Sequence, residues 1–219
     1  MNNLQKRILT SVIILPFSLF FILKGGYYLL FFLLSIFFIA NYELFSVFKK
    51  ISNILFLDLI LIFALFSIFY LAEKSLWLLL WVIILVICSD VGGYAFGKIF
   101  KWKKLTKISP KKTVSGVLGS FLFALLSVFI IQFIIEILHP SSYLLKNNFL
   151  KPEFFFLAIV FSLVAQAGDL TISYFKRLEK IKDVGKILPG HGGIFDRIDG
   201  LIFVVIVTLV FYKLQFIPL

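Results

Sequence analysis

Residues 166–199 hold most of the side chains in this sequence that could perform chemistry. Between two long apolar segments they bring together four aspartates, of which Asp169, Asp196 and Asp199 are the three of interest, six Lys or Arg residues, and His191 between glycines. Carboxylates bind divalent cations, and Lys and Arg bind phosphate oxygens. This stretch is therefore the first candidate for a site that handles a charged, water-soluble substrate.

The composition of the chain indicates that it lies in a lipid bilayer. Of its 219 residues 61% are hydrophobic, whereas soluble domains are roughly 45–50% apolar. The single cysteine, Cys88, excludes an intrachain disulfide framework. The net charge of +11 could indicate nucleic acid, but the basic residues flank apolar segments, so anionic lipid or phosphate is the expected partner. The candidate site would then lie at the membrane surface.

Seven apolar segments are each near the roughly 20 residues that a helix needs to cross the hydrocarbon core. We expect an all-α, polytopic integral membrane protein with a single domain, residues 1–219. Amino-terminal spans would occupy residues 1–75, and catalytic spans and cytoplasmic loops residues 76–219. The segments are Ile8–Leu23, Tyr27–Val47, Ile54–Leu71, Leu76 to about Phe96, Val117–Leu138, Glu153–Ile172 and Ile198 to about Phe216.

The distribution of positive charge predicts the orientation of the spans. Seventeen of the 22 Lys and Arg residues lie in the amino terminus and in the segments after the second, fourth and sixth spans, and five lie on the other side. Because cytoplasmic loops carry the excess of Lys and Arg, the amino terminus and these segments are expected in the cytoplasm. The carboxyl terminus is expected outside.

This topology brings several acidic residues to one depth. Asp90 and Asp169 lie on helices that run inward, each about 21–24 Å down a core roughly 30 Å thick. Asp196 and Asp199 stand at the cytoplasmic start of the last span, and Glu43 reaches a similar level. Four aspartates from three helices are therefore expected to meet near the inner surface.

Clustered carboxylates inside a membrane need compensation, because each costs several kcal/mol unless it is paired, solvated or bound to a cation. A ligand set made only of oxygen atoms favours Mg²⁺ or Mn²⁺ over zinc. The structural alternative is that the aspartates pair with Lys and Arg at the helix ends.

Three segments near these aspartates combine positive charge with hydrogen-bond donors. Lys176 and Arg177 follow the sixth span, and the glycines of residues 190–193 allow successive backbone N–H groups to point at one anion. The segment before the fifth span supplies two lysines and two hydroxyls, Ser109, Lys111, Lys112 and Thr113. Phosphate is the anion that suits all three segments.

Together these residues resemble the phosphatidate cytidylyltransferases, also called CDP-diacylglycerol synthases. The resemblance covers about Asp90 to Asp199, and residues 89–97 and 108–113 look like two further blocks of the family in the expected order. At Ser115 the family usually has an acidic residue. The resemblance rests mainly on Ser173, Lys176, Arg177, Lys182, Asp183, Pro189, His191, Gly192, Gly193, Asp196, Arg197 and Asp199.

The family resemblance implies the reaction of CTP with phosphatidate to give CDP-diacylglycerol and pyrophosphate. It implies Mg²⁺ as cofactor, with or without a second metal ion, and a homodimer. It also implies a multi-pass protein of the inner (cell) membrane whose active site faces the cytoplasm. The implied metal ligands are Asp169, Asp196, Asp199 and Asp90. The implied catalytic residues are Asp169, Asp196, Asp199, Lys176 and Arg177. Substrate binding would fall to Ser109, Lys111, Lys112, Thr113, Ser173, Lys182, His191, Gly192, Gly193 and Arg197.

Two other functions remain open on the sequence. A lipid-alcohol kinase that uses CTP would share the membrane setting and the nucleotide site but would release no pyrophosphate. A polytopic transporter would carry ionisable residues through the whole depth of its spans and an internal repeat. Here the ionisable residues, apart from Glu136, are expected at one side of the membrane, a distribution that does not match that pattern of a transporter.

Overall fold

The computed structural model describes residues 3–106, 109, 112–139, 149–181, 183–185, 187 and 192–217, with side chains from residue 12 onward. Within these ranges the chain forms seven α-helices and no strand, which confirms the all-α prediction. The helices are α1 Asn3–Lys24, α2 Gly26–Val47, α3 Ile51–Lys74, α4 Leu76–Phe100, α5 Val114–Leu138, α6 Pro152–Leu178 and α7 Phe195–Lys213.

Five of these helices, α2 to α6, are long and apolar enough to cross a membrane, with lengths of 22 to 27 residues. The apolar part of α1 with described side chains, Val12–Lys24, is shorter. Helix α7 has 19 residues and carries two aspartates and an arginine in its first turns. The protein is thus a helical membrane protein, and large apolar side chains such as Phe38 and Phe133 are exposed on its surface, where lipid would cover them.

Backbone angles and hydrogen bonds explain where two of the helices, α2 and α5, begin. Gly25 and Gly26 adopt positive φ angles of 62° and 52° before α2, a backbone conformation that glycine adopts without strain. Glu73, at the end of α3, accepts a hydrogen bond from the Gly26 N–H at 2.7 Å. Thr113 caps α5, because its Oγ1 accepts from the Gly116 N–H at 3.1 Å.

Helices α4 and α5 approach each other closely through glycines. A Cβ atom added at Gly92 would overlap the carbonyl oxygen of Gly119, and one added at Gly119 would overlap the carbonyl oxygen of Gly92. Further along the crossing, Gly97 leaves room for the Thr113 hydroxyl. Small residues allow two membrane helices to pack backbone against backbone. This crossing brings the start of α5 beside the turn of α4 that carries Asp90.

The centre of the bundle is apolar and aromatic. Trp81 of α4 is fully buried against the rings of Phe149, Phe154 and Phe161. Its indole Nε1–H donates to the Ser127 hydroxyl at 3.2 Å, so the polar edge of the ring is satisfied within the core. This packing joins α4, α5 and α6 into the frame that holds the candidate site.

Candidate functional site

Helix α6 presents a row of polar side chains near its carboxyl end. Asp169, Ser173 and Lys176 follow one another at intervals of four and three residues, which places them on one face of the helix. The Ser173 hydroxyl lies 3.4 Å from Asp169 Oδ1. This row meets two other elements, the start of α5 and the first turn of α7.

Lys112 connects the start of α5 to this row. Its Nζ lies 2.6 Å from Asp169 Oδ2 and donates to the backbone carbonyl of Gln166 at 3.2 Å. The two side chains are 22% and 35% exposed. This ion pair is therefore open enough for a ligand to reach both partners.

Lys176 connects α6 to α7 in a buried arrangement. Its Nζ lies 2.9 Å from Asp196 Oδ1 and 3.9 Å from Asp199 Oδ2, and the Lys176 and Asp196 side chains are only 9% and 5% exposed. Asp196 Oδ2 also accepts hydrogen bonds from the backbone N–H groups of Val184 at 2.8 Å and Gly193 at 3.1 Å. Because a buried charge is tolerated only when it is paired and hydrogen-bonded, this network meets the requirement.

Asp90, Asp169 and Asp199 form a second, more accessible group. Asp90 interacts electrostatically with Asp169, Lys112 and Arg197, and Asp199 interacts with both other aspartates. Asp90 and Arg197 are exposed. Helices α4, α6 and α7 thus bring three carboxylates together at the end of the bundle where Lys112 and Lys176 also lie.

The site has two parts with different environments. In the accessible part, Lys112, Asp90, Asp169 and Asp199 each keep a share of the side chain exposed. In the buried part, Lys176 and Asp196 join α6, α7 and the connection between them. With one lysine and three carboxylates, the accessible part is suited to a phosphate-bearing ligand that binds together with cations, and the buried part is suited to holding the three elements in register.

The donor types of this site suit a hard divalent cation, because they are carboxylate oxygens. As they stand, however, no group of three or more His, Cys, Asp or Glu side chains among the described residues could hold a metal ion. Lysines form ion pairs with three of the four aspartates instead, Lys112 with Asp169, and Lys176 with both Asp196 and Asp199. A cation held by these three aspartates would replace the lysine ammonium groups.

Other predicted site residues have local roles in the structure. The Ser109 carbonyl accepts from the Lys112 N–H at 3.0 Å, and Thr113 caps α5. Gly192 has a φ of 92°, and a Cβ atom there would lie 3.1 Å from an oxygen of Asp196. Arg177 lies apart, because its exposed guanidinium donates to the Ile181 carbonyl at 2.7 Å.

Three predicted substrate-binding residues, Lys111, Lys182 and His191, lie outside the residues that the structure describes. Ser115, which stands where an acidic residue was expected from the family resemblance, is buried and lies 3.0 Å from the Thr113 Oγ1. It therefore contacts the cap of α5.

Glu43 of α2 reaches the same region, although the sequence predicted only its depth. It is 1% exposed, and its Oε2 accepts from the Ile194 N–H at 2.8 Å and the Phe195 N–H at 3.4 Å. The signal in the sequence was an acidic residue deep in an apolar span. Its partners are backbone N–H groups at the start of α7. Such partners cannot be predicted from the pattern of side chains in the sequence.

The fold and the site together define a polytopic helical membrane protein with a polar, charged site at one end of its bundle. Residues 49–215 match the model of the cytidylyltransferase family. The chain therefore belongs to the cytidylyltransferase family, as the resemblance of its motifs indicated.

Individual relatives extend this similarity over most of the chain. A phosphatidate cytidylyltransferase of Rickettsia felis is 34% identical over 211 residues, which cover 92% of this chain and 88% of that protein. The same enzyme of Rickettsia conorii is 32% identical over 220 residues, 98% of this chain and 92% of the relative. A phosphatidate cytidylyltransferase of Helicobacter pylori is 39% identical over 126 residues, 57% of this chain and 43% of the relative.

Proposed function

We propose that this protein transfers the cytidylyl group of CTP to phosphatidate, giving CDP-diacylglycerol and pyrophosphate in phospholipid biosynthesis. The observation that carries the proposal is the joining of two helices, α6 and α7, and the start of a third, α5, by the ion pairs Lys112–Asp169 and Lys176–Asp196. Both pairs lie in the region that matches the family. The relatives that align over most of the chain are named for this activity.

The proposed reaction makes modest chemical demands on the protein. A phosphate oxygen of phosphatidate attacks the α-phosphorus of CTP, a new P–O–P bond forms, and the bond between the α- and β-phosphates breaks to release pyrophosphate. The second pKa of a phosphomonoester is about 6, so the nucleophile is already mostly dianionic at neutral pH. Because no general base is required, the protein has to position two polyanions in line and neutralise their charge.

The lysines and arginines of the site supply that neutralisation in this proposal. Lys112, in the accessible part, would exchange Asp169 for a phosphate oxygen of the substrate. Lys176, deeper in the bundle, would contribute positive charge while it keeps Asp196 in place. Arg197 and Arg177 are exposed and would bind phosphate from the cytoplasmic side. We assign Ser109, Lys111, Thr113, Ser173, Lys182, His191, Gly192 and Gly193 to substrate binding on the family resemblance.

We further propose that the site works with Mg²⁺. Asp169, Asp199 and Asp90 would hold it, with Asp196 as a further ligand, because they provide the oxygen donors that Mg²⁺ prefers. When bound, the ion supplies positive charge to the phosphate groups of CTP.

The proposed arrangement in the membrane has seven spans, with the amino terminus and the site on the cytoplasmic side of the inner (cell) membrane. It is supported by the 17 Lys and Arg residues in the amino terminus and in the segments on the side of the site. The expected partners are CTP, phosphatidate and anionic membrane lipid. A homodimer is proposed only from the family resemblance.

A product assay tests the reaction directly. The purified protein in detergent micelles would be supplied with CTP, phosphatidate and Mg²⁺, and CDP-diacylglycerol and pyrophosphate would be measured separately. Both products are expected in equal amounts. Release of CDP with no pyrophosphate would indicate a lipid kinase instead, and folded protein that forms no product would refute the proposal.

Asp199 and Asp58 provide a test variant and a matched control for this assay, because both are aspartates within helices. Asp199→Asn removes a carboxylate from the accessible part of the site and is expected to reduce turnover by about 100-fold or more. Asp58→Asn changes the same functional group on α3, where Asp58 accepts from the Asn41 amide at 2.9 Å. It is expected to leave turnover within about twofold of wild type, a range typical for changes outside a site.

A further inference from the structure

Glu43 is the one buried carboxylate at this end of the bundle that the proposed chemistry leaves without a role, among the residues with described side chains. It belongs to α2, and it precedes the region 49–215 that matches the family. Its carboxylate nevertheless reaches across 151 residues of sequence to the backbone of Ile194, directly before α7. We propose that Glu43 is a positioning residue that holds the connection between α6 and α7 in the shape that the site requires.

The contacts of Glu43 reach both the middle of this connection and its α7 end. Oε2 accepts from the N–H groups of Ile194 and Phe195, next to Asp196. Oε1 has no hydrogen-bond partner among the described atoms, although the N–H of Ile187 is a weaker favourable contact of the carboxylate. Near the middle of the connection, a Cβ atom added at Gly185 would overlap Oε1. One side chain thus contacts described residues on both sides of positions 188–191.

Asp196 completes the same arrangement from the opposite side. It accepts from the N–H groups of Val184 and Gly193, and its negative charge and that of Glu43 repel each other. A Cβ atom at Gly193 would lie 2.5 Å from Oε2 of Glu43 and 2.8 Å from the backbone nitrogen of Gly185. Gly185 and Gly193 therefore lie beside each other next to two carboxylates, and their lack of a side chain leaves room for Glu43.

This arrangement has a direct consequence for the site. Asp196 pairs with Lys176, so a shift of the connection would move the Lys176–Asp196–Asp199 group. It would also move Gly192 and Gly193, which we assign to substrate binding. Glu43 would act through these residues and would not touch the substrate. The consequence for turnover rests on the proposed function, whereas the effect on the conformation of the connection does not.

The first test separates positioning from general stability by steady-state kinetics. Glu43→Gln removes the charge, and Glu43→Asp shortens the side chain so that it no longer reaches α7. Each is expected to raise KM for CTP, or to lower kcat/KM for CTP, by about 10-fold, as expected for weakened hydrogen bonds to a charged group. KM for phosphatidate should stay within about twofold of wild type. Unchanged kinetics with CTP in both variants would overturn the inference.

Glu73→Gln is the matched control for these variants. Glu73 also accepts a backbone N–H at the start of a helix, from Gly26, but it lies at the opposite end of α2. It should leave both KM values unchanged. If Glu73→Gln raised KM for CTP as much as Glu43→Gln does, the effect would belong to the bundle in general, and Glu43 would have no special role.

A double-mutant cycle tests the contact with Gly185. Gly185→Ala introduces a Cβ atom against Glu43 and is expected to lower kcat/KM for CTP by about 10-fold, as overpacking forces a shift of the connection. In a Glu43→Ala background the same change should cost less than about twofold, because the clashing group is gone. Equal losses in both backgrounds would contradict the proposed contact.

Hydrogen exchange tests the inference even if the wild-type protein turns over neither substrate. The amides of Ile194 and Phe195 are expected to exchange at least about 10-fold faster in Glu43→Asp than in the wild type, because they lose their acceptor. The Gly116 amide at the start of α5 serves as the internal reference. If the wild-type protein showed no turnover but Glu43→Asp exchanged these amides faster, only the proposed function would be refuted. If Glu43→Asp left their exchange unchanged, the positioning role would be refuted.

Discussion

Replacing Lys176 by methionine should separate stability from catalysis, because this lysine is the buried cation of the site. Its side chain is 9% exposed, and its ammonium group lies 2.9 Å from Asp196 and 3.9 Å from Asp199. Methionine keeps much of the volume and removes the charge, which leaves two carboxylates without a cation. Loss of one partner of a buried ion pair costs about 3–5 kcal/mol. For a chain of this size that lowers Tm by about 6–20 °C.

Lys112→Met is the matched comparison for this change. Lys112 also pairs with an aspartate, at 2.6 Å, but that pair is substantially exposed. Exposed pairs contribute about 0–1 kcal/mol, so Tm should fall by no more than about 4 °C. Both variants are expected to lose about 100-fold or more in turnover, because each removes a cation that would stabilise charge on the phosphates.

The single cysteine of the chain provides the stability assay. Cys88 is partly buried in α4, so a thiol-reactive fluorophore will label it faster as the bundle unfolds on heating. Adding Asp196→Asn to Lys176→Met removes one unpaired carboxylate, and it should recover about half or more of the lost stability without restoring turnover. Equal Tm losses for Lys176→Met and Lys112→Met would refute the distinction between a buried and an accessible part of the site.

Three further outcomes are expected. Thr113→Ala should lower stability by about 1 kcal/mol through loss of the α5 cap, and Thr113→Ser should retain it, both measured by Cys88 labelling. Gly92→Ala should cost about 1–3 kcal/mol because its Cβ would overlap the Gly119 carbonyl, whereas Ile87→Ala, on an exposed face of the same helix, should cost less. Removal of divalent cations with EDTA should stop turnover but change Tm by only about 4 °C or less, because lysines already pair with the carboxylates. A large loss of Tm with EDTA would mean that the cation holds the bundle together.

The helices of this protein could be predicted from the sequence because each coincides with an apolar run of about membrane thickness. All seven predicted segments coincide with helices, and the last helix ends at Lys213 rather than near Phe216. The signature residues also predicted the family, which the family model and the relatives confirm. The count of seven spans and the orientation stay predictions, since within the described part of the chain only α2 to α6 meet the length and apolarity of a span.

Sequence position alone determined that Asp90, Asp169, Asp196 and Asp199 would come to the same end of the bundle, because a helix advances by a constant rise per residue. It could not determine which charges pair, since that depends on how each helix rotates about its axis and on how far a side chain extends. The backbone crossing at Gly92 and Gly119 and the reach of Lys112 to Asp169 follow from helix packing. The contact of Glu43 with the start of α7 is the hardest to predict from the sequence. Its partners are backbone N–H groups, which every residue type except proline possesses.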